Sequence, residues 1–270
     1  MRKCSDKIKV RDYVREKIGE GCLKPVLQIC DLYEEIDFDK LPTSFIIKCS
    51  HGCKWQYTVK DKEDYLATKP FVNITRRNIN GWLEHEFWVF GGFEMQYAAS
   101  RRVLCREKGN QMLRFLRGKP IGTFGARTRL CEGIEPKILI EPLLRPEINT
   151  FPREIEVYCF NGQPEILENV RYTKGKRDIT YYDKNFEAVD IMLNPDDGKN
   201  RLMNEEADDI LKQTYDLSKN LAKDFSFVRV DWLVCNNNPY FNELTFTPFS
   251  GFIELDKNLN EKLGNFIELN

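Results

Sequence analysis

Two carboxylates near the C-terminus have the type and spacing of a divalent metal site. Asp231 ends the segment Val228-Arg229-Val230-Asp231, and Glu243 lies in Phe241-Asn242-Glu243-Leu244-Thr245. Turn-forming residues separate the two segments, so we expect antiparallel neighbouring strands. Two carboxylates on one sheet face repel each other unless a cation lies between them, and Mg²⁺ prefers oxygen ligands, particularly beside phosphates. The alternative is that Arg229 pairs with one of them and that both face solvent.

A lysine at the end of an apolar segment is the second candidate. Lys48 follows Phe45-Ile46-Ile47 and precedes Cys49-Ser50-His51-Gly52-Cys53-Lys54. A small-residue loop after a buried strand can hold phosphates through its backbone N–H groups and one ammonium group. The loop has a single glycine, so the segment by itself favours the alternative of an ordinary hairpin turn with Lys48 in solvent.

Acidic residues on two later segments form a weaker pattern. Glu141 ends Ile138-Leu139-Ile140, and Glu154 lies in Arg153-Glu154-Ile155-Glu156. Such carboxylates can accept hydrogen bonds from an adenine amino group and from a ribose, although the pattern has little specificity by itself. Asp37-Phe38-Asp39 matches the acid-x-acid motif of metal-dependent glycosyltransferases, a tripeptide that is common by chance. No Ser/His/Asp order indicates nucleophilic catalysis.

The elements that must position these residues are both helices and strands. Hydrophobic periodicity predicts helices at 6–20 and 203–222, and a mostly helical segment at 64–97. The predicted strands are 45–47, 55–59, 137–144, 154–160, 164–170, 227–234 and 240–245. Residues 98–135 show no clear period and are predicted to be irregular. Helices mixed with antiparallel strands indicate an α+β or α/β class.

Composition limits the classes of function. The 270 residues suffice for one large domain or two modest ones. The 41 basic and 42 acidic side chains leave a net charge of −1, which argues against a dedicated nucleic-acid binder. No apolar stretch reaches the roughly 20 residues of a membrane span, and residues 1–7 lack the apolar core of a signal peptide. The nine scattered cysteines are typical of a reduced, cytoplasmic protein.

Taken together and in order, these segments resemble the ATP-grasp superfamily, and more closely its TupA-like branch of teichuronopeptide biosynthesis. The resemblance covers roughly residues 5–98 and 137–264. The segments that carry it are Asp6-Lys7-Ile8-Lys9-Val10-Arg11-Asp12-Tyr13-Val14, Ser44 to Gly52, Glu94 to Tyr97, Ile138 to Glu141, Cys159 to Gly162, Phe227 to Asp231, and Phe241 to Pro248.

The resemblance implies an α+β fold in which two α+β subdomains grip ATP between two sheets. It places an N-terminal lead and the first subdomain at 1–140, with an unrecognised insertion at 98–136, and the second subdomain at 141–270. The residues expected to bind ATP are Lys7, Lys48, Ser50, His51, Gly52, Lys54, Glu141, Leu143 and Glu154. Those expected to hold Mg²⁺ are Asp231, Glu243 and Thr245. Those expected to face the transferred phosphate or the acyl intermediate are Arg229, Arg171 and Lys48.

Four residues depart from the pattern of this branch. Cys53 and Lys54 stand where serine and glycine are expected, Pro142 stands where a second acid is common, and Glu156 stands where lysine is usual. The resemblance implies an ATP- and Mg²⁺-dependent carboxylate–amine ligase. Its substrates are expected to be small molecules, an amino acid and a uronic-acid sugar or peptide of a surface polysaccharide such as a capsule. The alternatives are a kinase on the same fold, an ATP-binding protein without catalysis, and more distantly a glycosyltransferase.

Overall fold

The computed structural model describes residues 2–52, 55–84, 87–90, 93–96, 133–146, 151–173, 176–193, 206–248 and 257–267. The helices are α1 Arg2–Ser5, α2 Val10–Ile18, α3 Lys62–Ala67, α4 Lys69–Leu83, α5 Asp209–Ala222 and α6 Lys257–Gly264. The strands are β1 Gln28–Cys30, β2 Phe45–Cys49, β3 Gln56–Val59, β4 Phe87–Phe90, β5 Phe93–Gln96, β6 Ile138–Pro142, β7 Arg153–Phe160, β8 Gln163–Thr173, β9 Lys176–Asp183, β10 Phe227–Cys235 and β11 Asn238–Thr245. These elements confirm the α+β class.

A four-stranded antiparallel sheet has the order β1-β6-β2-β3. Apolar residues of β2 and β6 pack with α4 and the segment after β1, in a core that includes Phe45, Ile47, Ile79 and Ile140. Its central strands are buried on both faces, which explains why β2 and β6 are nearly continuous apolar runs. We call it the first sheet.

A five-stranded antiparallel sheet, the second sheet, has the order β11-β10-β7-β8-β9. One face packs against α2 and α5, and its core includes Val14, Val157, Leu221 and Trp232. The indole Nε1–H of Trp232 donates to Ser218 of α5 at 2.8 Å, so this buried polar group is satisfied. The N-terminal helix α2 thus belongs to the core of the second sheet, although it precedes the first sheet in the chain.

The segment between α2 and β1 connects the two sheets. The backbone N–H of Phe241 in β11 donates to the Cys22 carbonyl at 2.8 Å, and the Leu27 N–H donates to the Ile140 carbonyl of β6 at 2.8 Å. Residues 22–27 therefore lie between the second sheet and the first. Among the described residues, none of the helices has both the length and the apolar character needed to cross a membrane.

Several expected elements differ from the observed ones. The predicted helix at 64–97 holds for α3 and α4, but it is wrong beyond residue 86, where β4 and β5 form an antiparallel pair. The sequence does not predict β1 or β9. β1 has only three residues and β9 is largely polar, so neither shows a clear hydrophobic alternation. The predicted helix at 203–222 is observed from Asp209, and residues 203–205 lie outside the described residues.

Candidate active site

A buried carboxylate on β6 contacts three cationic side chains. Glu141 Oε2 lies 3.0 Å from the ammonium Nζ of Lys24 and 3.0 Å from that of Lys48, and Glu141 Oε1 accepts from Arg11 at 3.1 Å. Glu141, Lys24 and Lys48 are 3%, 2% and 6% exposed. The four side chains carry a net charge of +2 in a region that water hardly reaches. We call these four residues the cation cluster.

The ladder between β2 and β6 places the centre of this cluster. Glu141 pairs with Ile46, and Lys48 pairs with Leu139, so Lys48 and Glu141 lie on one face. Arg11 comes from α2, and its guanidinium also donates to the Lys24 carbonyl. The cluster thus draws on four parts of the chain that are distant in sequence.

The pKa values within the cluster follow from burial and charge. Burial alone raises the pKa of Glu141, but Lys48 and Lys24 outweigh that effect and hold it at about 2. Burial, followed by the nearby charge of Lys48, lowers the pKa of Lys24 to about 8, and Glu141 only partly opposes this. Glu141 is therefore ionised at neutral pH, whereas Lys24 loses its proton within a few pH units of neutrality.

Lys7 and the loop after β2 lie beside the cluster. The Lys7 ammonium donates to the Gly52 carbonyl, and the Lys7 N–H donates to the Ser50 carbonyl at 3.0 Å. The buried Ser50 accepts from the Lys137 N–H through its hydroxyl at 3.0 Å, which ties the loop to the start of β6. His51 contacts the Trp82 carbonyl at 3.0 Å, and its ring packs edge-on against Trp55.

On the second sheet, Asp231 and Glu243 lie directly opposite each other on β10 and β11. A regular ladder extended from the turn at Asn236-Asn237 would instead pair Asp231 with Asn242. A β-bulge leaves Asn242 as the extra residue and brings Glu243 to the face of Asp231. Among the described residues, the Glu243 carboxylate has neither a hydrogen bond nor an ion pair, so it remains available to a ligand.

Asp231 is held by an arginine and a threonine. Arg229 Nε and Nη2 donate to its two oxygens at 2.7 and 2.8 Å, and the Thr245 hydroxyl donates to Oδ2 at 2.9 Å. Glu156 of β7 holds the remaining Arg229 nitrogen at 2.8 Å. Burial raises the pKa of Asp231 to about 6 against the opposing effect of Arg229. The alternative from the sequence, an Arg229–Asp231 pair, is therefore present, but Asp231 is 5% exposed and does not face solvent.

A single cleft joins the cation cluster to the strand that carries Glu243. Its lining residues are Lys7, Arg11, Lys48, Leu139, Glu141, Phe241 and Asn242. Asn242 directly precedes Glu243, and its Oδ1 lies 3.5 Å from the Lys24 ammonium. The cation cluster thus lies beside the bulge of β11, one residue before Glu243.

Arg171 is not brought to this site. It pairs with Asp208, the N-cap of α5, at 3.1 Å. Glu168 of β8 lies directly opposite Glu156 of β7, so their side chains share a face. Arg171 is three residues after Glu168, and its side chain therefore lies on the other face, toward α5 and away from Arg229.

The remaining expected residues lie at the edges of the site or outside it. Glu154 is the second residue of β7 and accepts from the Tyr172 hydroxyl at 2.9 Å, on the face of Glu156. Leu143 follows β6 and is half-buried, and Lys54 lies outside the described residues. Asp37 pairs with Lys40 in a turn beside β1, apart from the site.

Sequence reasoning missed Lys24, Arg11 and the role of Glu156 beside Arg229. Lys24 stands between Leu23 and Pro25, without a motif around it. Arg11 lies within a segment that carries the resemblance, four residues after Lys7 in the predicted helix at 6–20, and that i,i+4 spacing was the available signal.

The residues present suit Mg²⁺ by donor chemistry. Asp231, Glu243 and Thr245 offer carboxylate and hydroxyl oxygens, which Mg²⁺ prefers, and the Glu243 carboxylate has no other partner in the described part of the chain. Among the described residues, no group of three or more His, Cys, Asp or Glu side chains is arranged to hold a metal. Phosphate or water oxygens would have to complete the coordination, and Arg229 would have to release Asp231.

Comparisons with known proteins concern the family and the fold of the chain. The TupA-like ATPgrasp family matches residues 1–112 and 124–268. A search of the curated proteins found no significant match.

Solved structures share little sequence identity with the chain. D-alanine–D-alanine ligase from Bacillus anthracis has 14% identity and a TM-score of 0.49, over 98% of this chain and 65% of that one. The corresponding enzyme from Helicobacter pylori has 12% identity and a TM-score of 0.48, over 97% and 57%. The ATP-grasp ligase PsnB, solved with a minimal precursor, has 10% identity and a TM-score of 0.43, over 97% and 59%. The chain thus spans less than two thirds of these proteins, and such distant likenesses assign no activity.

Proposed function

Because the chain belongs to the TupA-like ATP-grasp family, we propose that it is an ATP- and Mg²⁺-dependent carboxylate–amine ligase. The observation that carries the proposal is that the cleft beside the net-positive cluster is also lined by Asn242, the residue that directly precedes Glu243 of the carboxylate pair. A nucleoside triphosphate with its metal ion has negative phosphates, which the cation cluster would bind, and a cation, which the carboxylate pair would bind.

In the proposed binding mode, Lys7 and Lys48 contact the phosphates, and the loop at Ser50, His51 and Gly52 lies beside them. The contacts of Lys7 with Ser50 and Gly52 support this part. Glu141 and the backbone at Leu143 would meet the adenine, with Glu154 at the ribose and Lys54 closing the loop.

Asp231, Glu243 and Thr245 would hold Mg²⁺, which when bound neutralises phosphate charge. Arg229 would stabilise charge on the transferred phosphoryl group, because it lies beside the carboxylate pair and is held by Glu156. Arg171 has no contact with the phosphoryl group in this binding mode, because it pairs with Asp208 on the other face of the sheet.

The proposed reaction has two displacements. A substrate carboxylate oxygen attacks the γ-phosphorus of ATP, the bond to the β-phosphate breaks, and ADP leaves. An amine then attacks the acyl carbon of the acyl phosphate, inorganic phosphate leaves, and the amine loses a proton. Neither displacement needs a protein nucleophile. The proposed substrates are an amino acid and a uronic-acid sugar or peptide of a surface polysaccharide such as a capsule, with a sugar nucleotide as one form.

The proposed fold division places residues 1–140 in the lead and first subdomain and 141–270 in the second. We propose a cytoplasmic location, where ATP and sugar nucleotides are present; the scattered cysteines agree with it.

The test is incubation with Mg-ATP, an amino-acid pool and a sugar-nucleotide pool that includes uronic acids, followed by mass spectrometry. ADP together with a new mass equal to acid plus amine minus water would support the ligase. ADP with a product heavier by one phosphoryl group would replace it with a kinase. ATP binding without ADP in any pool would favour a binding protein without catalysis.

A further inference from the structure

Lys24 is the buried charged group of this site that the proposed binding mode leaves unused. Its ammonium contacts Glu141 Oε2 at 3.0 Å, the same oxygen that Lys48 contacts at 3.0 Å. Two ammonium groups on one oxygen repel each other, yet both side chains are more than nine-tenths buried. An incoming anion that draws one ammonium group away from Glu141 would relieve this repulsion.

The two lysines differ in what they can reach. Lys48 lines the cleft, whereas Lys24 lies behind it, between Glu141 and Asn242. Lys24 is also fixed at its backbone, since its carbonyl accepts from Arg11 and the neighbouring Cys22 carbonyl accepts from β11. Lys48 is therefore the ammonium that can turn toward a ligand, and Lys24 the one that stays.

We propose that Lys24 is a positioning residue of the nucleotide site, which keeps Glu141 neutralised when Lys48 leaves that carboxylate for an incoming phosphate. Arg11 holds the other Glu141 oxygen throughout. Without Lys24, Oε2 would have Lys48 as its sole cationic partner, and phosphate would have to compete with Glu141 for it. This inference rests on the proposed function, because it takes a polyphosphate as the ligand.

The charge of Lys24 links the proposal to pH. Its pKa of about 8 is set by burial, by Lys48 and by Glu141, and Arg11 and Asn242 complete its surroundings. Once Lys48 turns to phosphate, the repulsion from Lys48 falls and Lys24 holds its proton more tightly. Binding should therefore take up a proton, and affinity should fall as pH rises through 8.

The experiment measures ATP binding by calorimetry in EDTA with the full chain. Lys24→Met should weaken binding about 10- to 100-fold at pH 7.5, the range of a lost charge-assisted hydrogen bond. From pH 7.5 to 9, wild-type affinity should fall roughly eightfold, and that fall should be absent in Lys24→Met. The matched control is Lys62→Met, whose ammonium donates to the Phe38 and Leu41 carbonyls and contacts no carboxylate in the described part of the chain.

A folded Lys24→Met protein with wild-type affinity and the wild-type pH profile would overturn the proposal, because a purely structural lysine changes only the melting temperature. If that variant does not fold, proton uptake by the wild-type protein tests the proposal instead. At pH 8, in two buffers of different ionisation enthalpy, ATP binding should take up about half a proton. Absence of uptake would overturn the inference. A wild type that does not bind ATP at all would instead refute the proposed function.

Discussion

The two carboxylates proposed to hold the metal should respond differently to loss of charge. Asp231 is buried and accepts from Arg229 and Thr245, whereas Glu243 has no side-chain partner among the described residues. Glu243→Gln should therefore impair metal binding and leave the fold intact. Asp231→Asn should impair metal binding and also destabilise the fold, since an amide nitrogen would face the buried Arg229.

The magnitudes follow from those contacts. Breaking one side of a buried ion pair costs about 3–5 kcal/mol, and Glu156 still compensates part of the Arg229 charge. We therefore expect Asp231→Asn to lose about 3 kcal/mol, or roughly 6–12 °C in melting temperature. Glu243→Gln should stay within about 0.5 kcal/mol of wild type, or gain slightly, because it removes a like charge opposite Asp231.

The assay combines metal binding with unfolding. Mn²⁺ binding to the ADP complex, followed by electron paramagnetic resonance, should weaken about 10- to 100-fold in both variants. In urea unfolding with EDTA, the free energy of unfolding of Asp231→Asn should be about 3 kcal/mol lower than that of Glu243→Gln. Glu187→Gln, an exposed carboxylate at the far edge of the second sheet, is the control for both measurements. The reasoning is refuted if Glu243→Gln binds Mn²⁺ like wild type, or if the two variants are equally stable.

Three further outcomes are expected. Glu141 has a folded pKa of about 2, below its ordinary value of 4.5. Its ionised form therefore contributes about 3 kcal/mol to the free energy of unfolding above pH 4.5, and this contribution is lost as the pH falls toward 2. Glu141→Gln should be destabilised at pH 7, and the difference in unfolding free energy between this variant and wild type, measured with urea, should narrow as the pH falls. Gly52→Ala should lose about 1–3 kcal/mol in a thermal melt, because its Cβ would overlap the Trp55 ring; an unchanged melting temperature would contradict that packing. Arg171→Ala should retain more ADP formation than Arg229→Ala under the same substrate pool, because Arg171 lies on the other face; equal losses would restore it as a catalytic residue.

The candidate metal strands were predictable because their signals are local. The turn at Asn236-Asn237 has two residues with positive φ, 50° and 59°, as a tight hairpin requires. The apolar alternation of β10 then predicts which of its residues are buried. The cation cluster was not predictable in full, because Arg11, Lys24 and Glu141 meet only after two sheets and α2 have packed together. Lys24 carries no local signal, since its burial depends on segments more than a hundred residues away.

Two β-bulges decide which of the expected site residues lie on the same face of the second sheet. From the Asn161-Gly162 turn, an uninterrupted ladder would place Arg171 on the face of Glu156. The bulge after Tyr158 shifts the register by one residue, and a shift of one turns every later side chain of β8 to the opposite face. Arg171 therefore meets α5 and not the site. On β11 the bulge at Asn242 has the reverse effect, because it turns Glu243 toward Asp231. Side-chain parity counted from a turn is reliable only up to the first bulge, and in this fold both bulges lie on the strands that carry the proposed chemistry.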